Sequence, residues 1–124
     1  MTQWNSKSIC VGPTKLRVDM APDEGTSSAA MTPSEGLLVA LGDCLGMLIA
    51  QACCAEGIPF EGATLQVAAD EVDERRRLDN FRVTVHMPEP RDERSRGIAE
   101  SASLLSQVRN TLRHGARVEV QFVE

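Results

Sequence analysis

The side chains of this chain best suited to covalent chemistry are four thiols, Cys10, Cys44, Cys53 and Cys54. A thiol works as a thiolate, which needs a nearby cation, hydrogen-bond donors or a helix N-terminus. No Cys-x-x-Cys pair and no Cys/His set with zinc spacing occurs, so neither a metal nor a cofactor is expected. Cys53 and Cys54 are adjacent, project from different faces and cannot easily bridge each other. Cys10 falls on a short apolar stretch and carries no signal. Cys44 lies in the middle of a long apolar segment. There a free cysteine is ordinarily a small core hydrophobe, no helix N-terminus is at hand, and the Asp43 carboxylate would oppose ionisation if it came close. Neither histidine asks for a catalytic role: His114 suits the negative end of a helix dipole, and His86 falls on a polar strand face.

The elements that must position Cys44 follow from hydropathy and punctuation. Ile9 to Val11 and Leu16 to Met20, joined by Gly12-Pro13-Thr14, read as a hairpin; Leu16, Val18 and Met20 alternate with Lys15, Arg17 and Asp19, the period of a half-buried strand. Pro22 to Thr32 reads as a loop. At Thr32-Pro33-Ser34-Glu35 a helix starts, with Thr32 as N-cap, Pro33 at the first helical position and Glu35 in the first turn. From Gly36 to Cys54 only Asp43 and Gln51 are strongly polar, and Glu56-Gly57 with Pro59 stops the helix. Thr64 to Val72 and Phe81 to Met87 predict two strands around a charged turn, Asp73 to Asn80. Phe81, Val83, Val85 and Met87 share one face of the second. Asp92 to His114 predicts a helix with the stripe Ile98, Leu105, Val108 and Leu112, capped by Gly115. Ala116 to Val123 predicts a last strand. The order β-β-α-β-β-α-β makes residues 1–124 a single α+β domain with helices packed on antiparallel sheet.

Composition narrows the function classes. A net charge of −5 disfavours a nucleic-acid binder. The basic run Arg75-Arg76-Arg77 sits among Asp70, Glu71, Asp73, Glu74 and Asp79 and reads as a solvated turn. Met1 to Ser8 has no apolar segment of secretory type, so a cytoplasmic location and reduced thiols are expected. The helix from Pro33 approaches the length of a membrane span, but a mid-span Asp43 and the lack of basic or Trp/Tyr flanks argue against insertion. An apolar helix must then be covered on every side. Aromatic residues make up only 3% of the chain while hydrophobic residues make up 42%. A core without rings is weakly held for its size. Both features predict a homodimer in which a second copy covers the helix.

The segment Thr32-Pro33-Ser34-Glu35-Gly36-Leu37-Leu38-Val39-Ala40-Leu41-Gly42-Asp43-Cys44-Leu45-Gly46-Met47 closely resembles the signature that opens the long central helix of the OsmC/Ohr superfamily. Ser106-Gln107-Val108-Arg109-Asn110-Thr111-Leu112 resembles a degraded second motif of that superfamily, and the element order matches as well. The resemblance implies an OsmC-like fold: an intertwined homodimer with two central helices between sheets built from both subunits. It also implies a thiol peroxidase site in which the position of Cys44 attacks an organic hydroperoxide and a second-motif Cys forms a disulfide with it, while an Arg and a Glu keep the thiolate active. In this chain the second-motif position holds Ser106. The catalytic Glu position holds Ser34, Glu35 matches the glutamate of the broader OsmC-like branch, and no Arg stands in the first strand, where Lys7 is the nearest cation; Arg17 lies on the second.

Two readings follow. In one, the protein is an atypical thiol enzyme of the redox stress response, with Cys44, Ser106 and Glu35 as its site. Cys44 reduces an organic hydroperoxide, and an external thiol, or Cys53 or Cys54 after rearrangement, resolves it. In the other, a non-catalytic OsmC-like dimer binds a small apolar ligand and Cys44 only packs.

Overall fold

The computed structural model describes residues 3–10, 15–23, 32–88 and 92–123, with side chains at positions 17–20, 32–88 and 92–123. β1 (Gln3–Cys10) and β2 (Lys15–Asp23) precede α1 (Pro33–Ala55); β3 (Thr64–Val72), β4 (Arg77–His86), α2 (Glu93–Ser103) and α3 (Gln107–His114) follow. The four strands form one antiparallel sheet in the order β1-β2-β3-β4. Val18 of β2 pairs with Val67 of β3, which pairs with Val83 of β4, so one apolar row crosses the sheet. That face carries Val18, Met20, Leu65, Val67 and Ala69, all buried against Leu38, Leu41 and Leu45 of α1. The alternation read from the sequence therefore places the core: Arg82, Thr84 and His86 are exposed, while Phe81, Val83 and Val85 are partly buried.

The N-terminus of α1 is held by a reciprocal capping box. Glu35 donates its N–H to Thr32 Oγ1 (3.2 Å), and the Thr32 N–H and hydroxyl both reach Glu35 Oε1, at 3.0 and 2.8 Å. Its C-terminus closes as a Schellman motif on Gly57 (φ +69°), with Ile58 N–H on Cys53 C=O at 2.8 Å and Gly57 N–H on Cys54 C=O at 3.2 Å. By length and composition α1 could cross a bilayer, but it is the core helix of the domain, with Leu38, Leu41, Gly42, Leu45, Gly46, Ile49 and Cys53 buried. Gly42 lets it approach the sheet: a Cβ there would lie 2.2 Å from Met20 Sδ and 3.0 Å from Val67 Cγ2.

Several boundaries differ from expectation. β2 runs on to Asp23, into the segment expected to be a loop; the remainder of that loop and the turn at Gly12-Pro13-Thr14 lie outside the described residues. β4 begins at Arg77, so the charged turn is only Asp73–Arg76, with Asp73, Glu74 and Arg75 left-handed (φ +52°, +56° and +66°). The Arg77 guanidinium holds it by bridging Asp73 at 2.9 Å and Asp79 at 3.0 Å. The helix expected from Asp92 to His114 is two helices. The chain turns at Leu104 and Leu105, and Ser106 starts α3 as its N-cap by accepting the Arg109 N–H at 3.1 Å. A serine competes for backbone donors and ends a helix readily. Leu105 consequently leaves the apolar stripe and is 72% exposed. The last strand expected over Ala116–Val123 is not formed: the segment has no regular secondary structure and pairs with no described strand of its own chain. Val118 and Phe122 there are 80% and 96% exposed.

Candidate functional site

The break between α2 and α3 shapes the surroundings of Cys44. By ending one helix and capping the next, Ser106 is pulled into the interior, where it is fully buried. Its hydroxyl lies 3.0 Å from Cys44 Sγ. The oxygen already accepts the Arg109 N–H, so its proton is free to point at the sulfur. Cys44 itself is half-buried. Among the described residues Ser106 is the only hydrogen-bond partner of that sulfur.

The other expected site residues are placed elsewhere. Glu35 spends its carboxylate on the capping box. It lies nine residues before Cys44 on one helix, about 13 Å along the axis at 1.5 Å per residue. Cys53 and Cys54 are as far away on the other side of Cys44, well beyond the Cα separation of roughly 4.4–6.8 Å that a disulfide spans. Within one chain neither can reach an oxidised Cys44 while α1 holds, so resolution by either requires α1 to rearrange. Cys53 is fully buried, and burial pushes its thiol pKa up; Cys54 is exposed. The Arg17 guanidinium is ion-paired to Asp19 at 2.7 Å, and Arg17 alternates with Val18, whose side chain faces α1. The side chains of Lys7 and Cys10 lie outside the described residues. Asp43, beside Cys44, is half-buried, has no hydrogen-bond or ionic partner among the described residues, and is pushed above the usual carboxylate range by desolvation. His86 and His114 are both exposed. Among the described residues no group of His, Cys, Asp or Glu could hold a metal ion.

On the sheet side of α1 lies a cavity of about 500 Å³. Leu41, Leu45 and Ile49 of α1 face Phe81, Val83 and Val85 of β4 across it, and Arg109 and Arg113 of α3 stand at its edge. Neither Cys44 nor Ser106 lines it; Arg109, which does, supplies the N–H that Ser106 Oγ accepts. Hydropathy and motif spacing gave no expectation of it. The signal for it was the spacing Arg109/Leu112/Arg113, which puts two cations and an apolar residue on one side of a short helix.

An antiparallel sheet covered by one long central helix, with the Cys44 thiol at that helix's midpoint and the N-cap of a short helix bringing a hydroxyl to it, defines the α+β protein. A family model described as OsmC-like protein matches residues 24–121, and the chain belongs to that family. Among solved structures it is similar to a crystal structure from Psychrobacter arcticus 273-4 of a protein named for osmotic stress induction and a detoxification response. The two share 16% identity and a TM-score of 0.61 over 90% of this chain and 89% of that one, a likeness that shows the fold. A comparison with curated proteins gives no significant match.

Proposed function

We propose that this OsmC-like protein is a single-cysteine thiol peroxidase that reduces organic hydroperoxides through Cys44 and is returned to the thiol by an external low-molecular-weight thiol. The observation that carries the reading is the Ser106 hydroxyl 3.0 Å from Cys44 Sγ, with the sulfur half-buried and not sealed in the core. A cysteine kept only for packing has no need of a buried hydroxyl aimed at it. Cys44 thiolate attacks the peroxide oxygen: an S–O bond forms, the O–O bond breaks, and the alkoxide leaves as alcohol after taking a proton. Ser106 has no thiol, so the sulfenic acid waits for an external thiol. The first such thiol forms a mixed disulfide and releases water. A second restores Cys44 and leaves as a small-molecule disulfide, supplying with the first the two electrons the peroxide consumed.

The active form in this reading is a homodimer in the reducing cytoplasm. One chain covers only one side of α1, leaving Leu37, Ala40, Gln51 and Cys54 exposed. With Cys44 and Met47 between them, these residues follow the 3-4 spacing of a helix-pairing seam. Among the described residues Ala116–Val123 pairs with no strand and β4 is an outer strand of the sheet, so each copy has a segment to donate and an edge to receive one. The cavity between α1, β4 and α3 supports a second reading, in which the dimer binds an apolar ligand without turnover. Hydroperoxide consumption with added dithiothreitol separates the two. The peroxidase reading expects turnover by the wild type, its loss in Cys44→Ser and at least a tenfold slower reaction in Ser106→Ala. Equal consumption by the wild type and Cys44→Ser would leave only the binding reading.

A further inference from the structure

Most of the described arginines already hold a carboxylate. Arg17 pairs with Asp19, Arg77 with Asp73 and Asp79, Arg82 with Asp70, Arg94 with Glu56 and Arg96 with Glu100. Arg109 and Arg113 have no carboxylate partner among the described residues, and both line the same cavity. Four residues apart, they lie one above the other on α3. Arg109 is half-buried, and of its side-chain donors one is used on Asn110 Oδ1, at 2.9 Å. The cavity's one acid, Asp79, does not neutralise them. It is bound by the Asn80 N–H at 2.8 Å and the Arg77 guanidinium at 3.0 Å, which together keep it below the usual carboxylate range.

We propose that this cavity binds an amphiphile with an aliphatic tail and an anionic head, carboxylate or phosphate, the head held by Arg109 and Arg113. The tail would lie among Leu41, Leu45, Ile49, Phe81 and Leu112, side chains with no hydrogen-bonding group to offer. A volume of about 500 Å³ falls inside the range of small-molecule sites. Guanidinium groups match the geometry of carboxylate and phosphate oxygens, and partial burial of Arg109 strengthens that attraction over its value in water. A purely apolar ligand would use the cavity's floor but leave two cations at its edge without a counterion. The inference gives the occupant a charge as well as a tail, and it holds whether or not Cys44 reacts.

The test is calorimetric titration of the full chain, below micelle-forming concentrations and without peroxide or reductant, with decanoate, decyl phosphate, decanol and decyltrimethylammonium. Saturable binding of decanoate or decyl phosphate at one site per chain, at least tenfold tighter than decanol or the cationic amphiphile, is the expected result. The tighter of the two anions tells a free carboxylate from a phosphate head. Arg109→Gln/Arg113→Gln should bind both anions no better than decanol while decanol binding stays within twofold. Should that double variant fail to fold, Arg113→Gln alone, at the exposed end of α3, is expected to lose at least threefold for the anions only. Decanol binding as tightly as the anions, variants that keep wild-type anion affinity, or no saturable binding by the wild type would each overturn the proposal. Because no thiol chemistry is read, none of these outcomes bears on peroxide reduction.

Discussion

Ser106 and Cys44 are separated by 62 positions in the chain and meet at 3.0 Å. At the scale of single residues that contact is the most informative part of the structure. The motif resemblance places Ser106 opposite Cys44, but the reason it is buried there is local: a helix break needs a cap, and the cap's hydroxyl keeps its proton for the sulfur. Ser106→Cys should therefore acquire what this chain lacks. On mild oxidation, peptide mapping is expected to find a disulfide joining Cys44 to the introduced thiol at position 106. Persistent free thiols at both positions would show that the two side chains do not approach as described. Asp43 gives a second prediction at this scale. Desolvation raises its pKa, so the protonated form is favoured in the folded state. The stability it contributes is complete below the ordinary carboxylate value and is lost as pH rises through the raised folded value. Asp43→Asn should thus be more stable than the wild type at pH 7, with the advantage fading towards pH 4. A thermal-melt difference that is constant across that range would contradict the assignment. Glu35 was legible as a first-turn acid, and its carboxylate is bound up in the cap, nine residues from the thiol.

At the scale of elements, α1 was readable almost to the residue, because Thr32, Pro33, Glu35 and Gly57 are all strong local signals that agree with one another. The strands were readable from alternation, though not their ends. β4 starts four residues early because Arg77 pairs with Asp73 and Asp79, an arrangement that a count of charges reads only as a solvated turn. The region after Asp92 misled for another reason. Its apolar stripe is continuous on paper, and only the competition of Ser106 for the Arg109 N–H ends one helix and begins another. Close packing of α1 on the sheet gives a paired prediction. Gly42→Ala gains about 1 kcal/mol of helix propensity, but its Cβ meets Met20 and Val67 in a filled core, where overpacking costs about 1–3 kcal/mol. A net loss of up to about 2 kcal/mol is expected in denaturant titration. Gly97→Ala in α2 meets nothing within 4 Å and should gain about 0.5–1 kcal/mol. If both substitutions stabilised the protein, the close approach at Gly42 would be wrong.

At the scale of the whole molecule, the exposed seam of α1 and a C-terminal segment that pairs with no described strand are the features that bear on a second copy. The low aromatic content and the all-round apolar helix pointed to a second copy in the sequence; where it would sit was not readable, because that depends on a terminal segment that pairs with no described strand of its own chain. Light scattering at micromolar concentration should give twice the chain mass for the full protein, and removal of residues 116–124 should lower it or cause aggregation. A monomer for the full protein would contradict the dimer.

If Cys44 reacts because Ser106 is beside it, the dependence is visible in sulfenic-acid trapping after a brief pulse of organic hydroperoxide. Mass spectrometry should find the trapped adduct on Cys44 of the wild type and, at least tenfold less, on Cys44 of Ser106→Ala, with Cys53 unlabelled in both. Labelling of Cys44 no faster than exposed Cys54, or unaffected by loss of the Ser106 hydroxyl, would refute the proposed role of the pair.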